Sequence, residues 1–136
     1  MAVTHLITAE QFTEMSDDSG KRFELVNGEV VEVPFAAHLQ ARIVMTLVYL
    51  LATFVRAREL GEVYGDGLGY LITRMPDTVR APDVSFLSAE RIPEEGFPVF
   101  VPSAPEFAIE GVSPNDQADE VHNKVYQYLA AGTRLV

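Results

Sequence analysis

Residues 105–132, PEFAIEGVSPNDQADEVHNKVYQYLAAG, decide how the chain folds and where its chemistry lies. After Pro105 the run EFAIEGV is almost continuously apolar, the composition of a central strand, yet it carries Glu110. Ser113-Pro114-Asn115-Asp116 then predicts the cap of a helix over 117–131, and Gly132 predicts its stop. On that helix Val121, Val125 and Tyr128 form an apolar stripe with Lys124 at its border, so the lysine ammonium can reach inward. Upstream, VRAPDVSFLS (79–88) reads as another strand, and it too holds a carboxylate, Asp83, among apolar neighbours.

Burying a carboxylate in an apolar strand costs free energy unless a cation or hydrogen-bond donors offset it, and two carboxylates on adjacent strands can together hold a hard divalent metal. Mg²⁺ or Mn²⁺ suits such oxygen donors; a chain with no cysteine and three histidines disfavours zinc. A lysine beside metal-bound water can orient that water or stabilise charge developing on a phosphate. The same residues also admit plainer readings. Asp83, after Pro82, can accept a backbone hydrogen bond; Glu110 and Lys124 can form a structural ion pair; Lys124 can lay its stem on the core with its head in water.

Working outward, Thr8 followed by Gln11 is a capping-box pattern and predicts a short helix over 8–15, ending near the polar cluster 16–20. RFELVNGEVVEV (22–33) predicts strands at 22–26 and 29–33 joined at Asn27-Gly28. From 36 to 60 apolar residues recur at helical spacing through Leu39, Ile43, Leu47, Leu50, Leu51, Phe54 and Val55, which predicts a long core helix stopped by Gly61. EVYGDGLGYLIT (62–73) and VRAPDVSFLS read as a second hairpin turning at Met75–Thr78, with a bulge at the glycines, which lack the Gly-Lys-Ser/Thr of a phosphate loop. Prolines 93, 98, 102 and 105 mark a surface loop, and Thr133-Arg134-Leu135-Val136 starts another strand. The expectation is one domain over 1–136, whose open sheet edge points to a chain truncated at its C-terminus or to pairing with a second subunit.

Composition bounds the partners. The 136 residues carry a net charge of −10, a field that repels nucleic acid and anionic membrane unless a divalent cation intervenes or arginines such as Arg42, Arg74 or Arg80 line the approach. Without cysteine there is neither a disulfide framework nor a thiolate metal site. The charge-free run Ile43–Val55 falls short of the roughly 20 residues of a membrane helix, and MAVTHLITAEQF has no signal-peptide pattern, so no membrane partner and a cytoplasmic location are expected. Asp17-Asp18 and Glu94-Glu95 read as solvated loop charges, Tyr126 and Tyr128 as packing residues, and His5 and His122 as without a role.

PDVSF, PEFAIEGVSP and the lysine ahead of YLAAG, preceded in order by FELVNGEVVEV, His38, the long helix and GLGYLI, resemble the Uma-two family of restriction endonucleases in the PD-(D/E)xK nuclease superfamily. The resemblance implies an α/β (α+β), restriction-endonuclease-like fold: a central mixed sheet flanked by helices. It implies that Asp83 and Glu110 bind Mg²⁺ or Mn²⁺, that the Gly111 carbonyl adds a ligand, and that Lys124 is the catalytic lysine, moved from its usual strand onto the helix. Glu24 matches a further acidic position, and His38 a supporting one. Two departures stand out: Gly111 replaces a bulky aliphatic residue, and the family continues past RLV into further strands. Two functions follow as expectations. One is a metal-dependent endonuclease acting on DNA, for which a homodimer would supply two sites for the two strands; the other is a catalytically inactive nuclease-fold binding or assembly module, with Glu110 and Lys124 reduced to an ion pair.

Overall fold

The computed structural model describes residues 5–15 and 19–136, so the acidic pair Asp17-Asp18 and the first four residues lie outside it. Helix α1 (Ala9–Glu14) starts as the sequence predicts. Thr8 Oγ1 accepts from Gln11 N at 3.2 Å while Gln11 Oε1 accepts from Thr8 N at 2.9 Å, so two of the amides left without intrahelical partners are satisfied. Strands β1 (Arg22–Val26) and β2 (Glu29–Val33) pair antiparallel about Asn27 and Gly28, whose φ values of 50° and 80° are the left-handed pair a two-residue hairpin requires.

After helix α2 (His38–Ala57) come β3 (Gly61–Gly65), β4 (Tyr70–Thr73), β5 (Thr78–Arg80), β6 (Val84–Ser88) and β7 (Phe107–Ile109), then helix α3 (Ala118–Ala130). The strands form two antiparallel sheets, β2-β1-β5-β4 and β3-β6-β7. Among the described residues, parallel pairing is confined to two single bridges, Tyr70 with Val101 and Phe107 with Leu135. The second hairpin is therefore split. The Asp66-Gly67 turn parts β3 from β4, and Ala81–Asp83 parts β5 from β6, so one half of each run joins each sheet. Pro82, at the second break, has no N–H to give a ladder. The bulge lies between Leu71 and Thr73 rather than at the glycines.

The proline-rich segment also departs from expectation. Val101 and Ala104 are buried, and Val101 exchanges 2.9 Å hydrogen bonds with Gly69 and Leu71, so the chain enters the core there. Gly69 makes room for it, since a Cβ would stand 2.6 Å from the Phe100 ring. Tyr70, Ile72, Leu87, Val101, Ala104 and Tyr128 form the main core, with a second cluster at Ala9, Leu25, Leu71 and Val79. Tyr70 links the sheets through a 2.7 Å hydrogen bond to Ser85 Oγ, and burial pushes its phenol up to about 12.

Helix α2 is not the core helix that its spacing suggests. Only Val55 is buried, while Leu39, Ile43, Leu50 and Phe54 are each more than half exposed, because the helix rests on β3 and more thinly on β6. It is also long and apolar enough to cross a membrane by length and composition, so the length argument against a span does not hold. Helix α3 has no side-chain cap; Asp116 accepts from Ser113 N at 2.7 Å and closes its own turn instead.

Candidate functional site

A cleft of about 870 Å³ opens where the ends of β1, β5, β6 and β7 meet the N-terminal part of α2 and one face of α3. Sheet register explains why two acidic residues come together there. β6 and β7 pair Val84 with Ile109, and one further antiparallel step sets Asp83 across from Glu110 as both leave the ladder.

Asp83 Oδ2 accepts from Gly111 N at 2.6 Å, and Gly111 O accepts from Gln40 Nε2 at 2.7 Å. This accounts for the glycine. A Cβ at 111 would lie 2.8 Å from Gln40 Nε2 and 2.9 Å from Asp83 Oδ2, so the position is closed to any larger residue unless both side chains move. The residue of α2 that enters the cleft is thus Gln40; His38 is exposed at the first turn and does not line it.

Glu110 accepts from Tyr128 Oη at 3.0 Å on one oxygen and faces Lys124 Nζ at 3.4 Å on the other. Lys124 Nζ stands 3.7 Å from Glu24 as well. Lys124 and Tyr128 reach the same carboxylate because residues four apart share a helix face. Glu24, buried on β1, accepts from Arg80 Nη1 at 2.7 Å and from Ala81 N at 3.0 Å. Arg80 is buried too, its Nε and Nη2 donating to Gln127 Oε1 at 3.0 and 2.7 Å.

Burial pushes the Glu110 carboxyl up to about 7; the negative charges of Glu24 and Asp83 add to the rise, and Lys124 and the Tyr128 hydroxyl only partly offset it. The Tyr128 phenol is pushed far above its ordinary value by burial and then by Glu110 and Glu24, which keeps it a proton donor. With every group ionised, Glu24, Asp83 and Glu110 face, among the described residues, only Arg80 and Lys124, leaving one negative charge uncompensated.

Among the described residues no group of three or more His, Cys, Asp or Glu side chains is arranged to hold a metal ion. Asp83 and Glu110 form a two-carboxylate set, to which the second lone pair of the Gly111 carbonyl can be added. That set fits Mg²⁺ or Mn²⁺, because Mg²⁺ keeps several waters and needs only one or two carboxylates. The structure thus brings Asp83, Glu110, Gly111, Lys124 and Glu24 together, and of the three arginines expected at the approach only Arg80 reaches the cleft. Arg74 pairs with Glu10 and Asp77, and Arg42 is exposed on α2. Sequence reading missed Gln40 and Gln127 and took Tyr128 for packing alone. The four-residue step from Lys124 to Tyr128 is the one local signal that could have found the phenol.

The family described as Uma2, putative restriction endonuclease, matches residues 9–136. Among solved structures, one described as a putative nuclease belonging to DUF820 from Anabaena variabilis superposes with a TM-score of 0.80 at 23% identity, covering 96% of this chain and 73% of that one. At that identity the likeness establishes the shared fold. No curated protein matches.

Proposed function

The chain belongs to the Uma2 family of putative restriction endonucleases, and from that premise we propose that it is a metal-dependent endonuclease hydrolysing DNA phosphodiester bonds, with Mg²⁺ or Mn²⁺ held by Asp83 and Glu110. The charge imbalance carries this reading. Three carboxylates converge with two cations, one of which, Arg80, is committed to Glu24 at 2.7 Å. A divalent ion of hard-oxygen preference would offset that excess negative charge. A structural ion pair accounts for the site less well: Lys124 Nζ stands 3.4 and 3.7 Å from its carboxylates, outside the roughly 2.7–2.9 Å of a tight charge-assisted bond.

When bound, the ion would polarise a phosphoryl oxygen and acidify a water. Gly111 N fixes the Asp83 carboxylate, and Tyr128 Oη fixes that of Glu110. Lys124 Nζ, between Glu24 and Glu110, would stabilise negative charge on a non-bridging phosphate oxygen and orient the attacking water. Gln127 clamps Arg80, and Arg80 with Ala81 N anchors Glu24, so the lysine keeps its position.

The test is cleavage of supercoiled plasmid in Mg²⁺ or Mn²⁺ by wild type, Asp83→Ala, Glu110→Ala and Lys124→Ala, each shown to be folded by its melting transition. Nicking by the wild type and a fall of about 100-fold or more in each variant is expected. A folded wild type that cleaves nothing and is not stabilised by either metal would instead be the inactive nuclease-fold binding module.

A further inference from the structure

The mouth of the cleft is lined by exposed apolar side chains. Phe35, between β2 and α2, is 73% exposed, and Tyr126, on α3, is 72% exposed; both line the cleft that holds Asp83 and Glu110. Val31 and Val112 lie on the same rim and are 42% and 59% exposed. Apolar rings in water beside a candidate phosphodiester site have an obvious complement in nucleobases, every one of which offers a π-face.

The charges at the rim disfavour a grip on a duplex backbone. Glu32, Asp116 and Glu120 line it, and each basic residue of the cleft already faces a carboxylate. Arg22 pairs with Asp66, Arg80 with Glu24, and Lys124 with Glu24 and Glu110. A duplex presents one phosphate charge per ~1.7 Å and is gripped mainly by Lys and Arg tracking that backbone. Among the described residues this cleft has no such track. Contact beyond the reacting phosphate therefore falls to the exposed rings, and the faces of bases inside a duplex are stacked on one another and closed to such rings.

We propose that the cleft takes single-stranded DNA, with unpaired bases stacked on Phe35 and Tyr126 on either side of the phosphate presented to Asp83 and Glu110. This rests on the nuclease reading above and adds the substrate class to it.

The experiment is fluorescence anisotropy with a labelled 20-nucleotide strand and the matching duplex, in Ca²⁺ to occupy oxygen donors. It compares wild type with Phe35→Ala, Phe35→Leu, Tyr126→Ala and Tyr126→Phe. The strand is expected to bind at least tenfold tighter than the duplex. Phe35→Ala, Phe35→Leu and Tyr126→Ala should each weaken strand binding about tenfold with unchanged melting temperature, and Tyr126→Phe should bind as the wild type does. Duplex binding equal to or tighter than strand binding, or alanine variants that hold the strand as the wild type does, would overturn the proposal. If plasmid nicking in Mg²⁺ persists in that case, the nuclease reading stands and the single-strand inference alone falls. Absence of both nicking and binding removes the nuclease reading and this inference with it. Ring-dependent strand binding without hydrolysis of either substrate keeps the stacking cleft and removes the nuclease.

Discussion

A methyl group at position 111 would press on both Gln40 and Asp83, one partner from α2 and one from the β6 edge. Gly111→Ala should therefore cost about 1–3 kcal/mol in a urea melt, the usual range for overpacking, and should lower nicking further than stability alone explains, because Asp83 is displaced. A variant as stable and active as the wild type would refute the close approach. Glu110 gives a pH signature. Its folded pKa, about 7, lies above the ordinary 4.5, so the native state binds the extra proton between those values. Stability from this group is present below pH 4.5, declines as pH rises toward 7, and is fully lost above it. Glu110→Gln should flatten that decline, and metal should raise the wild-type melting temperature more at pH 8 than at pH 6, since proton and metal compete for one carboxylate. Asp83, Glu110 and Lys124 were legible because each breaks an apolar pattern. Gln40 was not: its partner is 71 residues away, and a neutral amide on a helix breaks no pattern.

Helix α2 shows how far periodicity reaches. The three- and four-residue spacing of Leu39, Ile43, Leu50 and Phe54 announces a helix with an apolar stripe, and the helix forms, but spacing does not say whether anything covers the stripe. Leu50→Lys should thus change stability by no more than about 0.5 kcal/mol, whereas Val55→Ala, which empties a buried position, should cost about 2 kcal/mol by denaturant titration. Equal losses would mean that the exposed stripe is buried in solution. The first hairpin and the α1 cap were fully readable, since Asn27-Gly28 and Thr8/Gln11 act within a few residues. The split of the second hairpin was not, since which sheet a strand joins is settled by partners 54 residues away, as where β5 meets β1 at Leu25 and Val79.

For the molecule as a whole, a net charge of −10 and a cleft whose cations are all paired make long-range attraction to DNA weak. Strand binding should therefore fall less than tenfold between 50 and 200 mM salt, against the ~10³–10⁵-fold loss of proteins that neutralise several phosphates; anisotropy titrations at the two salts decide it. The overall α/β plan was readable from the order of elements, and the two-sheet arrangement became visible only in three dimensions. What the fold achieves is local. It brings three carboxylates from two sheets together with two cations, one of them on α3, at a site that a divalent cation would complete. Isothermal titration of Mn²⁺ into wild type, Asp83→Ala and Glu110→Ala at pH 8 decides whether that cation binds there. Saturable binding to the wild type that is lost in both variants is expected; no binding to the wild type, or binding undiminished in the variants, would remove the metal from Asp83 and Glu110.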